Sequence, residues 1–236
     1  MKISVLSYNV QHFSHYHGSG IDYDVFADTI SSLGADLIGL NEVRGAGISE
    51  GYDPQASIMG EKLGLYSYFA KAQDMKEGTD PYGNALLSRY PLLSAETVII
   101  PYPADADSPY PEDRSILRVT VAPDGRPLTV IATHLGVTAR EQEAGIGLLL
   151  PMLGKERTIL MGDFNLTPDS PLLKPVSERI KDSAVFFPEP LLSWPSDDPR
   201  MKIDYLFTSP DLKVLKADIP DIETSDHRPY TALIEI

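Results

Sequence analysis

The chain of 236 residues contains no cysteine, which excludes disulfides, thiolate zinc sites and a cysteine nucleophile. It is also short of positive charge: 20 Lys and Arg stand against 34 Asp and Glu, a formal net charge of −14. Tight, sequence-independent binding to nucleic acid depends on phosphate neutralisation by Lys and Arg. Duplex nucleic acid is therefore disfavoured as a partner, although a bound divalent metal and one local basic patch can invert the field at a site. No run of Lys and Arg and no basic–aromatic interleaving is present. No apolar run approaches the roughly 20 residues of a membrane span. Met1 to Val10 lacks the charged-then-apolar layout of a secretory signal, because Ser4, Ser7 and Asn9 interrupt it. A cytoplasmic, monomeric protein without a membrane span is expected.

No Ser/Gly linker, repeat or low-complexity tract divides the chain, so one domain over residues 1–236 is expected. The 20 prolines fall mainly in three places, near Pro101 to Pro111, Pro168 to Pro175 and Pro188 to Pro199. Proline is excluded from strand centres, so these stretches read as long surface loops, which in a compact domain are often functional.

Apolar spacing predicts amphipathic helices over Tyr23 to Leu33 and Pro54 to Leu63, the second with Asp53 as N-cap. A third runs from Thr138 to Leu153, with Thr138 and Glu141 as a capping box. Strands are predicted at Ile3 to Tyr8, Leu37 to Leu40, Tyr66 to Ala70, Ala85 to Ser88, Leu93 to Ile100 and Thr158 to Met161. Three more fall near residues 203–208, 212–217 and 229–236. Ile116 to Val121 and Leu128 to Thr133 flank an Asp-Gly turn and read as a hairpin. Hairpins mixed with β–α–β passages argue for an α/β (α+β) class: two mixed sheets face to face, with helices outside.

The chemistry-bearing residues gather at strand ends. Met161-Gly162-Asp163-Phe164-Asn165 closes an apolar run, and Asp163 and Asn165, two apart, face the same side of a strand. Alone, such a pair is equally an Asx turn closing a strand. The pattern recurs, however, at Asn9, at Asn41-Glu42, at Thr133-His134 and at Ser225-Asp226-His227, while Asp204 sits among apolar neighbours. Buried acids, amides and imidazoles are costly unless they pair or bind metal. Glu42 and Asp226 are hard oxygen ligands suited to Mg²⁺ or Mn²⁺, to which Asn9 can add a carbonyl oxygen. Asp204 can hold His227 protonated, Asp163 can take a proton from water, and Asn165 and His134 can donate to phosphoryl oxygens. This is a set for metal-assisted phosphoryl hydrolysis.

The ordered motifs Ser7-Tyr8-Asn9, Leu40-Asn41-Glu42-Val43, Gly83-Asn84-Ala85-Leu86-Leu87-Ser88-Arg89, Thr133-His134-Leu135, Gly162-Asp163-Phe164-Asn165, Ile203-Asp204-Tyr205 and Ser225-Asp226-His227 resemble those of the endonuclease/exonuclease/phosphatase superfamily. Thr133 to Gln142 resembles its small bacterial metal-dependent hydrolase branch. The resemblance implies a four-layer sandwich and metal-dependent attack of water on a phosphate ester. It implies metal at Glu42, helped by Asn9 and Asp226; water activation by Asp163; phosphate held by Asn165, His134 and His227; and His227 oriented by Asp204. Asn84 and Arg114 are candidate substrate contacts, Arg114 being equally a solvated residue before a strand. The family usually has glutamine where Asn41 stands, which is expected to be a packing change facing away from Glu42. A small or lipid-derived phosphate ester is the expected substrate. The alternatives are a nuclease, a sphingomyelinase- or phospholipase-like enzyme using Tyr102, Tyr110, Phe186, Phe187 and Trp194, and a non-catalytic binder of a phosphorylated ligand. Specificity is expected from the loops around residues 12–20, 74–82, 101–113 and 186–200.

Overall fold

The computed structural model describes residues 1–76, 78–186 and 192–236. In chain order the elements are β1 (Lys2–Asn9), α1 (Tyr23–Leu33), β2 (Leu37–Arg44), α2 (Gln55–Leu63), β3 (Tyr66–Met75), β4 (Asp80–Ser88), β5 (Ser94–Ile100), β6 (Arg114–Val121) and β7 (Leu128–His134). Then follow α3 (Ala139–Leu149), β8 (Thr158–Asp163), α4 (Lys174–Ser177), β9 (Lys181–Asp182), β10 (Asp204–Thr208), β11 (Lys213–Asp218) and β12 (Tyr230–Glu235). One six-stranded sheet has the order β11-β12-β1-β2-β4-β3, the other β5-β6-β7-β8-β10-β9.

Each sheet contains one parallel pair, β1 with β2 and β7 with β8, and is otherwise antiparallel. A parallel pair needs a crossover, and here α1 and α3 supply it. α1 starts where predicted, with the Asp22 carboxylate accepting from the Asp24 and Val25 amides. The Thr138–Glu141 capping box opens α3. The helix stops at Leu149, short of the expected Leu153, and Pro151 lies in the 3₁₀ turn that follows. Asp53 does not cap α2: Pro54 occupies the cap position without a side-chain bond, and the Asp53 carboxylate accepts from the Tyr23 hydroxyl at 3.0 Å.

Three apolar layers follow from strand periodicity. Val5, Leu37, Val119, Val130, Ala132, Met161 and Leu206 pack between the sheets. Leu6, Tyr8, Ile38 and Leu40 face the other way, onto Phe26, Ile30 and Met59 of α1 and α2. Ile131, Leu160, Tyr205 and Phe207 likewise meet Ile146, Leu149 and Val176 of α3 and α4. The fold is an α/β sandwich of two mixed sheets flanked by helices, as the sequence predicts.

At one end the layer between the sheets becomes polar. Along β1, β7, β8 and β10 the residues that share the inner face with Val5, Val130, Met161 and Leu206 are Asn9, His134, Asp163 and Asp204. Asn41 lies in the same layer and ties the sheets together. Its Nδ2 donates to Asn84 Oδ1 (2.8 Å) and to the Thr133 carbonyl (3.0 Å), and its Oδ1 accepts the Asp163 amide at 3.0 Å. Asn84 Nδ2 reaches across to the Ser115 carbonyl at 3.0 Å. Asn41 is therefore a polar bridge and not a packing substitution. Asn41→Leu, of similar volume, leaves buried groups on both sheets unpaired and is expected to cost about 2–5 kcal/mol in urea unfolding. A loss below about 1 kcal/mol would mean that apolar packing alone fixes the two sheets.

Candidate active site

The polar end opens into a cavity of about 570 Å³ lined by Glu42, Arg114, His134, Asp163, Asn165, Asp226 and His227. Asn9 and Asp204 lie directly beneath, bonded to Asp163 and His227 respectively. The structure thus brings together nine of the ten residues expected from sequence. The exception is Asn84, whose amide is committed between the sheets and does not line the cavity.

A local irregularity presents the acid of β2. The register with β4 slips by one residue between Leu40 and Val43, and Glu42 has φ +60°. Such a bulge inserts one extra residue and reverses the strand's alternation. Before it, Ile38 and Leu40 face the helices; after it, Val43 does. Asn41 and Glu42, adjacent in sequence, consequently serve the interlayer and the cavity. On the opposite strand, Gly162 (φ +139°) permits a close approach: a Cβ there would lie 1.9 Å from the Thr133 carbonyl oxygen.

Asp163 sits at the floor. Its Oδ1 accepts the Asn165 amide at 2.9 Å, and its Oδ2 accepts Asn9 Nδ2 at 3.1 Å. His227 Nε2 lies 3.6 Å from Oδ2, and His134 Nε2 lies 3.5 Å from it. His227 Nδ1 is 2.8 Å from Asp204 Oδ2. One imidazole between two buried carboxylates can neutralise only one of them. Burial, reinforced by Asp204 and opposed by His227, pushes the Asp163 carboxyl up to about 7. Burial would lower His227, but Asp204 and then Asp163 outweigh it and push the imidazole up to about 10.

His134 is the opposite case. Burial, then the charge of Arg114, hold it well below the ordinary histidine value. Arg114 Nη1 stands 3.1 Å from His134 Nδ1 and, being obligately a donor, makes Nδ1 the acceptor and leaves the ring proton on Nε2, which stands 3.2 Å from Asn165 Nδ2 and 3.5 Å from Asp163 Oδ2. The same guanidinium donates to the Tyr82 hydroxyl at 3.2 Å and pairs with Glu112 at 3.1 Å. Arg114, expected as a substrate contact, is therefore already committed to three protein groups. Asn165, at φ +51°, donates from Nδ2 to the Leu135 carbonyl at 3.0 Å.

Glu42 and Asp226 are the acids open to a metal ion. Among the described residues neither pairs with Lys or Arg; Glu42 has only His12, with Nε2 3.7 Å from its Oε2. Burial, and then the charge of Glu42, raise the Asp226 carboxyl despite nearby His227. Two uncompensated carboxylates on one cavity suit a hard divalent cation. Asn9 turns its NH₂ toward Glu42 (3.1 Å) and Asp163, and its Oδ1 toward the Gln11 amide at 3.2 Å. Asp163, Asp204 and His227 also offer atoms within 4.8 Å of one another, but their shared hydrogen bond and charges already hold that group together.

Every loop expected to shape specificity reaches the cavity, through His12, Met75, Tyr82, Tyr110, Glu112 and Trp194. Of the loop aromatics, Tyr110 and Trp194 line it, Tyr102 anchors its own loop by donating to the Ala106 carbonyl, and Phe186 is exposed elsewhere. Phe187 lies outside the described residues. Sequence reasoning missed Arg44 and Tyr52, which line the cavity, and read Asn41, which lies beneath it, as a packing change. In NMR titration of the metal-free protein, His227 is expected to stay protonated through neutrality and release its proton near pH 10, and His134 to take up its proton only well below the ordinary histidine range. Titration of His227 near 6.5 would remove the charge assignment.

The profile of the Endonuclease/Exonuclease/phosphatase family matches residues 6–227. No curated protein matches the sequence. Among solved structures, an endonuclease/exonuclease/phosphatase from Beutenbergia cavernae DSM 12333 is similar with a TM-score of 0.78 and 21% identity, covering 100% of this chain and 72% of that one. A mannosyl-6-phosphatase from Bacteroides thetaiotaomicron VPI-5482 has a TM-score of 0.78 at 17% identity, over 99% and 100%. ANGEL2, a 2',3'-cyclic phosphatase, has a TM-score of 0.72 at 17% identity, over 99% and 95%. The sandwich, the converging strand ends and the profile over nearly the whole sequence lead to one conclusion: the chain belongs to the endonuclease/exonuclease/phosphatase family.

Proposed function

We propose that this chain is a divalent-metal-dependent hydrolase of phosphate esters that acts on small substrates. The observation that carries the reading is the buried Asp163–His227–Asp204 array at the cavity floor, where one imidazole stands between two carboxylates and burial pushes the Asp163 carboxyl up. A non-catalytic binder has no need of a carboxylate poised to change protonation. Glu42 and Asp226 would hold the Mg²⁺ or Mn²⁺, with Asn9 beside Glu42. The bound ion supplies Lewis-acid polarisation of the phosphoryl oxygens.

The protein's own groups do the rest. Ionised Asp163 takes a proton from the attacking water as its oxygen bonds to phosphorus; the ester P–O bond breaks, and the leaving oxygen takes up a proton from solvent to depart as the alcohol while Asp163 returns its proton to solvent. His227, kept protonated by Asp204, donates to a phosphoryl oxygen where negative charge grows. Neutral His134 donates from Nε2, in the orientation that Arg114 imposes. Asn165 adds a polar contact at the same rim. The net charge of −14 and the bounded cavity support a small ester over a duplex. Two structural neighbours described as phosphatases support the same class.

The test compares hydrolysis of a chromogenic phosphodiester and the matching monoester in Mg²⁺, Mn²⁺ and EDTA. Asp163→Ala is expected to lower turnover on the order of 10²–10⁴-fold while the fold is kept. Near-normal turnover in that variant would remove Asp163 as base, and turnover undiminished by EDTA would remove the metal. The pH profile has a fixed sign. The active form grows as pH rises through about 7, where Asp163 ionises, and is lost above about 10, where His227 deprotonates. A cation on the neighbouring acids favours ionised Asp163 and moves the acid limb lower. Asp204→Asn takes away the charge that holds the His227 proton, so it moves the alkaline limb toward neutrality; an unmoved limb contradicts the pairing.

A further inference from the structure

Among the described residues, eight of the ten arginines pair with a carboxylate: Arg89, Arg114, Arg118, Arg126, Arg140, Arg157, Arg200 and Arg228. Arg179 donates to the Pro175 carbonyl. Arg44 alone, among the described residues, has a guanidinium with neither an acid nor a hydrogen-bond acceptor, and its Nε is buried without a partner. In a chain with 34 acids against 20 basic residues, an unpaired arginine inside a cavity calls for a physical reason. Leaving a buried guanidinium N–H unsatisfied is unfavourable.

The position is built. The bulge at Asn41-Glu42 turns Arg44 away from the helix layer, so that it lines the same cavity as Asp163 and His227. Gln55, wholly buried, accepts the Arg44 amide on Oε1 at 2.8 Å and donates from Nε2 to the His12 carbonyl at 2.9 Å. The guanidinium lies over the Tyr52 ring, 4.6 Å from its centroid. Gly51, at φ +79°, leaves room for it: a Cβ there would stand 3.1 Å from Arg44 Nη1. The loop carrying Tyr52 is pinned by Asp80, whose Oδ1 accepts the Ile48 and Ser49 amides at 3.0 and 3.1 Å. A stacked, oriented arginine with free terminal donors suits a planar or tetrahedral anion.

We propose that Arg44, stacked on Tyr52, forms a second anion subsite of this cavity, so that the substrate is a small phosphate ester carrying another anionic group, a second phosphate or a carboxylate. This rests on the phosphate-ester reading above. Arg114 cannot serve in its place, because Glu112, Tyr82 and His134 already occupy both of its terminal nitrogens, leaving only its buried Nε without a partner. Glu42 and Asp226 face the reacting end, leaving Arg44 as the cavity's uncommitted cation among the described residues.

The test uses the full chain in Mn²⁺ with Asp163→Asn to prevent turnover, and calorimetric binding of glucose 6-phosphate, 6-phosphogluconate and fructose 1,6-bisphosphate. At least one doubly anionic ligand is expected to bind about tenfold or more tightly than glucose 6-phosphate. Adding Arg44→Gln should reduce that preference to about threefold or less, and Arg44→Lys, which keeps the charge but not the fork, should restore part of it. Whichever ligand gains more identifies the second group as carboxylate or phosphate. No preference, a preference that survives Arg44→Gln, or binding of none of the three overturns the subsite and leaves Arg44 as a stacking residue. Turnover of the same compounds by the unsubstituted chain is scored separately. A chain that hydrolyses none of these and neither chromogenic ester, but keeps the Arg44-dependent preference, would overturn the hydrolase reading and keep the subsite.

Discussion

The site depends on one constraint: several polar and ionised groups are buried between two apolar sheets, where each must be satisfied by another. Removing a charge or an amide from water is unfavourable by several kcal/mol unless partners are supplied, so the groups can persist only as a network. Asn41 meets that demand on the structural side by bonding Asn84, the Thr133 carbonyl and the Asp163 amide. Asp163, His227 and Asp204 meet it on the chemical side. The two halves share Asp163, whose backbone is fixed by one and whose carboxylate is tuned by the other. Sheet–sheet registration and proton affinity are thus set by the same few bonds.

The bulge on β2 shows how a small backbone irregularity multiplies function. Without an extra residue opposite Asn84, strict alternation would turn Arg44 to the helix layer and keep Glu42 from the place it now holds. With it, Asn41, Glu42 and Arg44 serve the interlayer, the acidic rim and the unpaired basic position in turn. The backbone is unusual nearby as well: Gln11, His12 and Phe13 all have positive φ, and the turn they form sets His12 against Glu42. Backbone conformations of this kind persist where surrounding structure over-determines them. Here Gln55 does so, holding both β2 and the His12 carbonyl.

Much of this was legible in the sequence because it follows from period-two alternation. Val130, Ala132 and His134, or Ile159, Met161 and Asp163, place a polar residue at the end of an apolar face, and that pattern alone predicts convergence on one rim. Helix α1 was legible from its 3.6-residue spacing and α3 from its capping box. What was not legible lay where periodicity breaks. Arg44 sits after a register shift that no composition signal marks, and His12 in a turn of left-handed residues without glycine. Asn41 looked like a packing change because adjacent strand residues point apart; that they point into two functional spaces requires knowing what lies across the sheet. Asn84, placed by motif beside the substrate, proved to be an inter-sheet tie for the same reason. Proline as the cap of α2 was equally hidden, since Asp53 satisfies every local rule for an N-cap yet bonds Tyr23 instead.

Charge gives the last step. The whole chain is acidic, yet the cavity gathers Arg44, Arg114 and an imidazolium at His227 within walls that also carry Glu42, Glu112 and Asp226. These opposed charges are not mixed at random. Arg114 is paired with Glu112 and directs His134, so its charge serves geometry. His227 is paired with Asp204, so its charge is held in reserve for the reacting oxygen. Among the described residues Glu42 and Asp226 have no Lys or Arg partner, a demand for positive charge, and Arg44 has no acid partner, a demand for negative charge. Attraction across the cavity could have cancelled the two, but Gln55 and Tyr52 hold Arg44 out of ion-pairing reach of both acids. Separated complementary demands on one cavity are what distinguish a site awaiting a ligand with its cation from a polar core that is already complete.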